Sequence, residues 1–294
     1  MMLRGQPQFD AMRTLTTIIW RTALIVPAIL ALQMSYAHEP TSIKVSLTSD
    51  DIVGYWIHLP RDHSSEQVWP VILFLHGGDA VAEDLDYVRT LGPARYLENT
   101  NQQDSLLGKL IGDSFVIISP HLSNENGQRN RQWHDYADVI DSIVETVICR
   151  YGGDRRRFYI TGLSRGGHGT WRLPSVTKHP IAAIVPVCGR SNDAGCLAST
   201  THLPIWNTCN KGDALITVEF QEQAVATIEA AGGDEFLRLA DVSPVDTTYL
   251  EHRHIFTSFD RQGHDAWTAT YGSRHIYEWM LKFSNIDGKI LHHD

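Results

Sequence analysis

Basic blocks, long apolar runs, internal repeats and low-complexity tracts are all missing from this sequence, and cysteine is scarce. Each absence removes a class of protein. The formal net charge is −9 over 294 residues, and the densest basic spot, "DRRR" at 154–157, precedes a strand-like segment and reads as a solvated turn. A nucleic-acid partner is therefore disfavoured, because phosphate binding needs a basic face. His252 and His254 share a strand face in "HRH", yet no third ligand stands at matching spacing. No metal site and no cofactor is expected. With no repeat and no linker, one domain is the expectation.

The N-terminus has its own character. Arg4, Arg13 and Arg21 precede the uncharged run "TALIVPAILAL" (22–32), and "QMSYAHEP" then places Ser35 and Ala37 as small residues before His38. That is the three-part layout of a secretory signal. A membrane anchor is the competing reading. The run is about half of the roughly 20 residues a spanning helix needs, and Arg21 blocks its extension. Residues 1–37 are therefore expected to be a cleaved signal, leaving 38–294 as a single secreted or periplasmic domain. All four cysteines, Cys149, Cys188, Cys196 and Cys209, fall in that part. In an exported protein an even count predicts disulfides, with three possible pairings that sequence does not separate. Cys149 also lies on an apolar helix face and has a second reading as a buried thiol.

From residue 43 onward, strand-like and helix-like segments alternate. "IKVSL" (43–47) and "VGYWIHLP" (53–60) read as an opening antiparallel pair. "VILFLHGG" (71–78), "FVIISP" (115–120), "RFYITG" (157–162), "IAAIVPVCG" (181–189), "LPIWNTC" (203–209) and "HIFTSF" (254–259) read as buried strands. Tyr136, Val139, Ile140, Ile143, Val144, Val147 and Ile148 follow helical spacing. Further helices are expected over 218–233 and 274–283, and the C-terminal "LHHD" as a frayed tail. This alternation predicts an α/β fold, a mostly parallel sheet with helices on both faces. Sites in such sheets form beyond the carboxyl ends of the strands.

At that edge stands "ITGLSRGGHGTW" (160–171), with Ser164 between Gly162 and Gly166. A strand that turns sharply into a helix needs small neighbours, so the stretch reads as a nucleophile elbow. A serine hydroxyl needs an adjacent base, and His264 in "DRQGHDAW" follows the last strand. The base needs a carboxylate to hold its tautomer, and Asp213 in "NTCNKGDALI" follows the preceding strand. An oxyanion hole needs two backbone N–H donors; Arg165 supplies one at the helix start and Gly78 of "HGG" the other. The competing readings are an ordinary strand-end turn for "HGG" and a structural ion pair for the Arg165 side chain. Trp133, Trp171 and Trp267 lie near these loops and are either pocket walls or core. Trp133 and Trp267 are the candidate substrate contacts.

Together, "VILFLHGG", "FVIISP", "DRRRFYITGLSRGGHGTW", "LPIW…KGD" and "GHDAWTATY…YEWML" resemble the secreted esterase branch of the α/β-hydrolase superfamily. That branch is dienelactone-hydrolase-like, feruloyl-esterase-like and polyhydroxybutyrate-depolymerase-like, and includes predicted peptidases. The resemblance spans nearly all of 38–294. It implies the α/β-hydrolase fold and a serine hydrolase cleaving carboxylic esters through an acyl-enzyme, with Ser164 as nucleophile, His264 as base and Asp213 as acid. It implies no cofactor, and a small-molecule or polymer-linked ester as partner. Two departures stand out. Relatives carry "HG" shortly before the acid where this chain reads "TCN", and commonly Met where this chain has Arg165. Asp193, one strand earlier, is the alternative acid. A peptidase of related fold and a non-catalytic binding module are the other readings. The loops at 79–110, 121–133 and 189–202 are polar, which points to short acyl groups or polar, sugar- or phenolic-linked esters. Oligomeric state is left open.

Overall fold

The computed structural model describes residues 41–47, 51–64, 66–82, 84–98, 105–123, 132–243 and 246–293. The expected signal, 1–37, and part of the polar 121–133 loop lie outside the described residues. In chain order the strands are β1 (Thr41–Ser46), β2 (Ile52–Leu59), β3 (Trp69–Leu75), β4 (Val116–Leu122), β5 (Gly153–Leu163) and β6 (Ala183–Val187). They continue with β7 (Ile205–Gly212), β8 (Leu237–Leu239), β9 (His254–Gln262), β10 (Phe283–Ile286) and β11 (Lys289–His292). The helices are α1 (Arg95–Glu98), α2 (Leu106–Ser114), α3 (Ala137–Tyr151) and α4 (Arg165–Arg172), then α5 (Ala194–Ala198), α6 (Val218–Ala230), α7 (Trp267–Tyr271) and α8 (Arg274–Leu281).

Nine strands form one sheet in the order β1-β2-β4-β3-β5-β6-β7-β9-β8. The pairs β1–β2 and β2–β4 are antiparallel, and every other neighbouring pair is parallel. Period-two alternation sends successive side chains to opposite faces. Val71, Leu73, Leu75, Ile118, Ile160 and Ile205 pack with Ile140, Val144 and Val147 of α3 and Val225 and Ile228 of α6. Ile72, Phe74, Ile117, Tyr159, Val185 and Trp206 face the other way, onto Ile111 of α2 and Ile276, Tyr277 and Met280 of α8. Both faces are buried, so the central strands read as continuous apolar runs.

Helix α3 ends as its sequence suggests, with Gly152 in the left-handed region at φ 65°. Three elements differ from expectation. The C-terminal stretch is no frayed tail: Phe283–Ile286 pairs with Lys289–His292 as an antiparallel hairpin, and His293 Nε2 lies 2.9 Å from Ser284 Oγ. The short strand β8 pairs with β9 and has too few residues to show a period. The third difference is cysteine. All four thiols are free, so none of the pairings expected from an even count is present. Cys188, Cys196 and Cys209 are buried, where they pack as small apolar side chains, and burial pushes the Cys188 thiol up to about 12. Cys149 is exposed rather than on the apolar face, and its thiol donates to Glu145.

No helix among the described residues is long and apolar enough to cross a membrane. None of their His, Cys, Asp and Glu side chains cluster as a metal site. His254, weighed above as a ligand, is buried with its ring nitrogens against the carbonyls of Asp234 and Leu203.

Candidate active site

Strand β5 turns into α4 at Ser164, whose backbone sits at φ 53° and ψ −113°. A non-glycine residue held there costs about 1–3 kcal/mol and persists only where its surroundings enforce it. Here the enforcement is close packing of backbones. A Cβ on Gly166 would stand 1.9 Å from the Leu75 carbonyl oxygen, and one on Gly162 2.6 Å from the Gly166 backbone. Ser164 N–H also donates to the Val187 carbonyl at 2.9 Å, tying the turn to β6. The spacing of glycines around Ser164 is therefore a steric requirement of this turn.

His264 lies in the loop after β9. Its Nε2 is 2.9 Å from Ser164 Oγ and its Nδ1 is 2.6 Å from Asp213 Oδ2. Asp213 follows β7 and its carboxylate is fully enclosed. The second oxygen, Oδ1, accepts from the Leu215 and Ile216 N–H groups at 2.8 and 3.0 Å. With Oδ1 bound to donors, Oδ2 is left facing the imidazole. Asn210, part of the "TCN" departure, donates from its Nδ2 to the Gly263 carbonyl at 2.9 Å and so docks the His264 loop against β7. Asp193 stands elsewhere. It caps α5 by accepting from Cys196 N–H and pairs with Arg172.

The loop after β3 faces Ser164 across a cavity of about 230 Å³ lined by Gly78, Leu91, Leu163, Ser164, His264 and Trp267, among others. A residue not singled out from sequence holds this loop. His76 is fully buried, its Nδ1 is 2.7 Å from the Gly77 carbonyl, and its Nε2 accepts from Leu122 N–H at 3.0 Å. Since Nε2 accepts, Nδ1 carries the proton and donates. A trans peptide is planar, with its C=O and N–H pointing opposite ways, so anchoring the Gly77 carbonyl aims the Gly78 N–H away from His76. Burial drives the His76 pKa down to about 3, with the nearby charges of His121 and Arg165 adding and the Gly77 hydrogen bond opposing. The imidazole is neutral at any ordinary pH. The Arg165 side chain lies over the same loop, its Nε 3.8 Å from where a Gly78 Cβ would stand.

The two tryptophans separate. Trp133 has no exposed surface and its indole N–H donates to the His76 carbonyl at 3.1 Å. It is core, with no face to offer a substrate, which corrects that expectation. Trp171 is likewise fully buried. Trp267 lines the cavity and stands edge-on to His264, ring centres 5.5 Å apart at 86°. His168, on the first turn of α4, directs its Nδ1 to the Ser164 carbonyl at 2.8 Å. Desolvation lowers its pKa, and the charges of Arg190, Arg165 and His264 add to that.

No protein-family model matches the chain. Among curated proteins it is similar to a bifunctional acetylxylan esterase/xylanase of Neocallimastix patriciarum, 25% identical over 51% of this chain and 20% of that protein. It is also similar to acetylxylan esterase A of Aspergillus ficuum, 27% identical over 57% of this chain and 52% of the relative. The chain thus spans about a fifth and about half of these relatives. Among solved structures a thermostable esterase aligns at TM-score 0.60 and 19% identity, over 84% of this chain and 63% of the other. A feruloyl esterase module from Clostridium thermocellum, solved with sinapinate, aligns at 0.57 and 13%, over 82% and 86%. An acylaminoacyl peptidase of Pyrococcus horikoshii aligns at 0.53 and 16%, over 85% and 41%. At these identities the likeness speaks to fold, and one fold here carries esterases and a peptidase.

Proposed function

We propose that this chain, which has the α/β-hydrolase fold, hydrolyses carboxylic esters with Ser164 as its nucleophile. The observation that carries the reading is the hydrogen-bonded series Asp213–His264–Ser164 on a strained turn at the cavity wall. In this reading His264 Nε2 takes the Ser164 proton as Oγ attacks the carbonyl. Asp213 holds the imidazole in the tautomer that makes this possible and stabilises the imidazolium that forms. The Gly78 and Arg165 N–H groups receive the oxyanion, a contribution of roughly 10²–10³ in rate per donor. The proton then passes from His264 to the departing alcohol, and water repeats the sequence to free the acid.

Short acyl groups, or polar sugar- and phenolic-linked esters, are the proposed substrates. A cavity of about 230 Å³ supports this. Its apolar lining comes from Ala80 and Leu91 of the 79–110 loop together with Leu163, Leu215 and Trp267. Secretion or export to a periplasm, with residues 1–37 removed and 38–294 as the catalytic domain, completes the proposal and rests on the N-terminal sequence layout alone.

Wild-type protein is expected to turn over p-nitrophenyl acetate and to be labelled at Ser164 by a fluorophosphonate. Ser164→Ala abolishes both. Turnover retained in Ser164→Ala would sink the reading. Efficient peptide cleavage with inert esters would favour the peptidase alternative.

A further inference from the structure

Next to the main cavity lies a second, smaller one. It is lined by Leu91, Gly92, Tyr96, Trp267 and Tyr271, among others, and encloses about 20 Å³, room for a single water. Leu91 and Trp267 line both spaces. Trp267 is therefore common to both, bordering the cavity that holds Ser164 and His264 and the space bordered by Tyr96 and Tyr271.

This residue is held in place. Trp267 opens α7, and the turn is clamped by Asp265, which accepts from Thr268 N–H at 2.9 Å and from Thr268 Oγ1 at 2.8 Å. Ala266 and Tyr271 on either side are buried. The far space has a floor as well. Gly92 sits at φ 56°, pressed so closely on Phe74 that a Cβ would stand 2.3 Å from the ring. The backbone there is flush with the core, and two buried tyrosines, Tyr96 and Tyr271, border the same space.

In an acyl-transfer sequence the acyl group stays bonded to Ser164 while the alcohol departs. The recessed cavity beside the nucleophile is then the place for the acyl chain. We infer that Trp267 sets the acyl length the enzyme accepts, by closing the acyl cavity off from the space against Tyr96 and Tyr271. The inference rests on the ester-hydrolase reading and adds the residue that limits its substrate. Removing the indole joins the two spaces and lets a longer chain run over Gly92.

The test is kcat/KM for p-nitrophenyl acetate, butyrate, hexanoate and octanoate in wild type, Trp267→Phe, Trp267→Leu and Trp267→Ala. Wild type is expected to peak at acetyl or butyryl. Each further methylene buried contributes ~0.8 kcal/mol, about fourfold, so Trp267→Ala should raise the octanoyl-to-acetyl ratio by tenfold or more. Trp267→Leu follows in the same direction, and Trp267→Phe stays near wild type because a ring still closes the wall. Taking the ratio removes any uniform loss from the missing contact with His264. A second series, acetates of lengthening alcohols, should keep its wild-type profile in all variants. An unchanged acyl ratio in folded Trp267→Ala and Trp267→Leu overturns the inference, as does a shift confined to the alcohol series. Failure of the ester reading looks different: wild type then turns over no ester and Ser164 takes no label, and the inference falls with it.

Discussion

Two buried aspartates sit at opposite ends of the parallel sheet, and they are built alike. Asp154, early in β5, accepts from Arg156 N–H at 3.0 Å, Arg156 Nε at 3.1 Å and Arg157 Nε at 2.8 Å. Asp213, after β7, accepts from two following N–H groups and from His264 Nδ1. Both carboxylates are enclosed, and both bind backbone a few residues on. They differ in the third partner. Arginine is charged at every accessible pH and cannot release a proton, so Asp154 sits in a permanent ion pair. Burial works to raise its pKa, but the donors from Arg156 and Arg157 outweigh it and hold the carboxyl below its ordinary range. Histidine can gain and lose a proton, and here its far nitrogen meets a serine hydroxyl. A buried carboxylate is therefore no mark of chemistry by itself. What it is bonded to decides.

Exchanging each aspartate for asparagine sharpens this contrast, and the largest effect is expected at the sheet's carboxyl edge. Asp213→Asn keeps the size but presents an amide that favours the wrong imidazole tautomer. A kcat loss of roughly 10⁴-fold is expected, with KM and melting temperature little changed. Asp154→Asn should do the reverse. Leaving Arg156 and Arg157 without their carboxylate costs about 2 kcal/mol, a Tm fall of roughly 3–4 °C at this chain length, while kcat/KM stays at wild type. An Asp154→Asn enzyme with full stability and impaired turnover would erase the distinction.

His76 lies between these cases: it is fully buried, yet it anchors the loop that faces Ser164. In the proposed mechanism it positions the Gly78 N–H through the Gly77 carbonyl. His76→Asn is expected to lower kcat by roughly tenfold to hundredfold with KM nearly unchanged, since an oxyanion donor acts mainly in the transition state. A merely structural role would leave kcat alone. The same residue predicts an acid response. In the unfolded chain a histidine titrates near 6.5, and in the fold His76 titrates at about 3. Between those values the unfolded state binds more protons, so stability declines as pH falls from about 6.5 toward 3. His76→Asn should flatten that limb in thermal melts across pH. An unchanged slope would remove His76 as its cause.

The elbow was legible because its requirement is local: Gly162 and Gly166 crowd backbone within the same turn. The sheet was legible because doubly buried strands leave continuous apolar runs. The positions of Asp213 and His264 followed from strand order. What sequence did not reveal depends on distant partners. The His76 tautomer is set by the N–H of Leu122, on a neighbouring strand. Helical or strand spacing places Trp133 near the site but cannot say that its indole turns inward to the His76 carbonyl. Cysteine parity carries no geometry at all, and the buried thiols Cys188, Cys196 and Cys209 serve as small core residues. Strand β11 needed β10 opposite it before "LHH" could read as anything but a tail.

The smallest effect is expected at Asp193, which follows β6 at the carboxyl edge. From sequence it competes with Asp213 for the acid role. Its side chain instead accepts from Cys196 N–H at 3.0 Å as the cap of the five-residue helix α5. It also pairs with Arg172 at the surface. Those donors, with the Arg172 charge, keep its carboxyl ionised below the usual range, which a cap and a surface pair account for without any part in proton transfer. Losing one capping hydrogen bond and one solvent-screened ion pair is a small loss of stability. Asp193→Ala should therefore lower Tm by only a few degrees and leave kcat/KM for p-nitrophenyl acetate at wild type. The informative comparison is with Asp213→Asn in the same assay. A hundredfold loss in Asp193→Ala alongside near-normal turnover in Asp213→Asn would move the acid one strand earlier and overturn the assignment built on the 2.6 Å contact to His264.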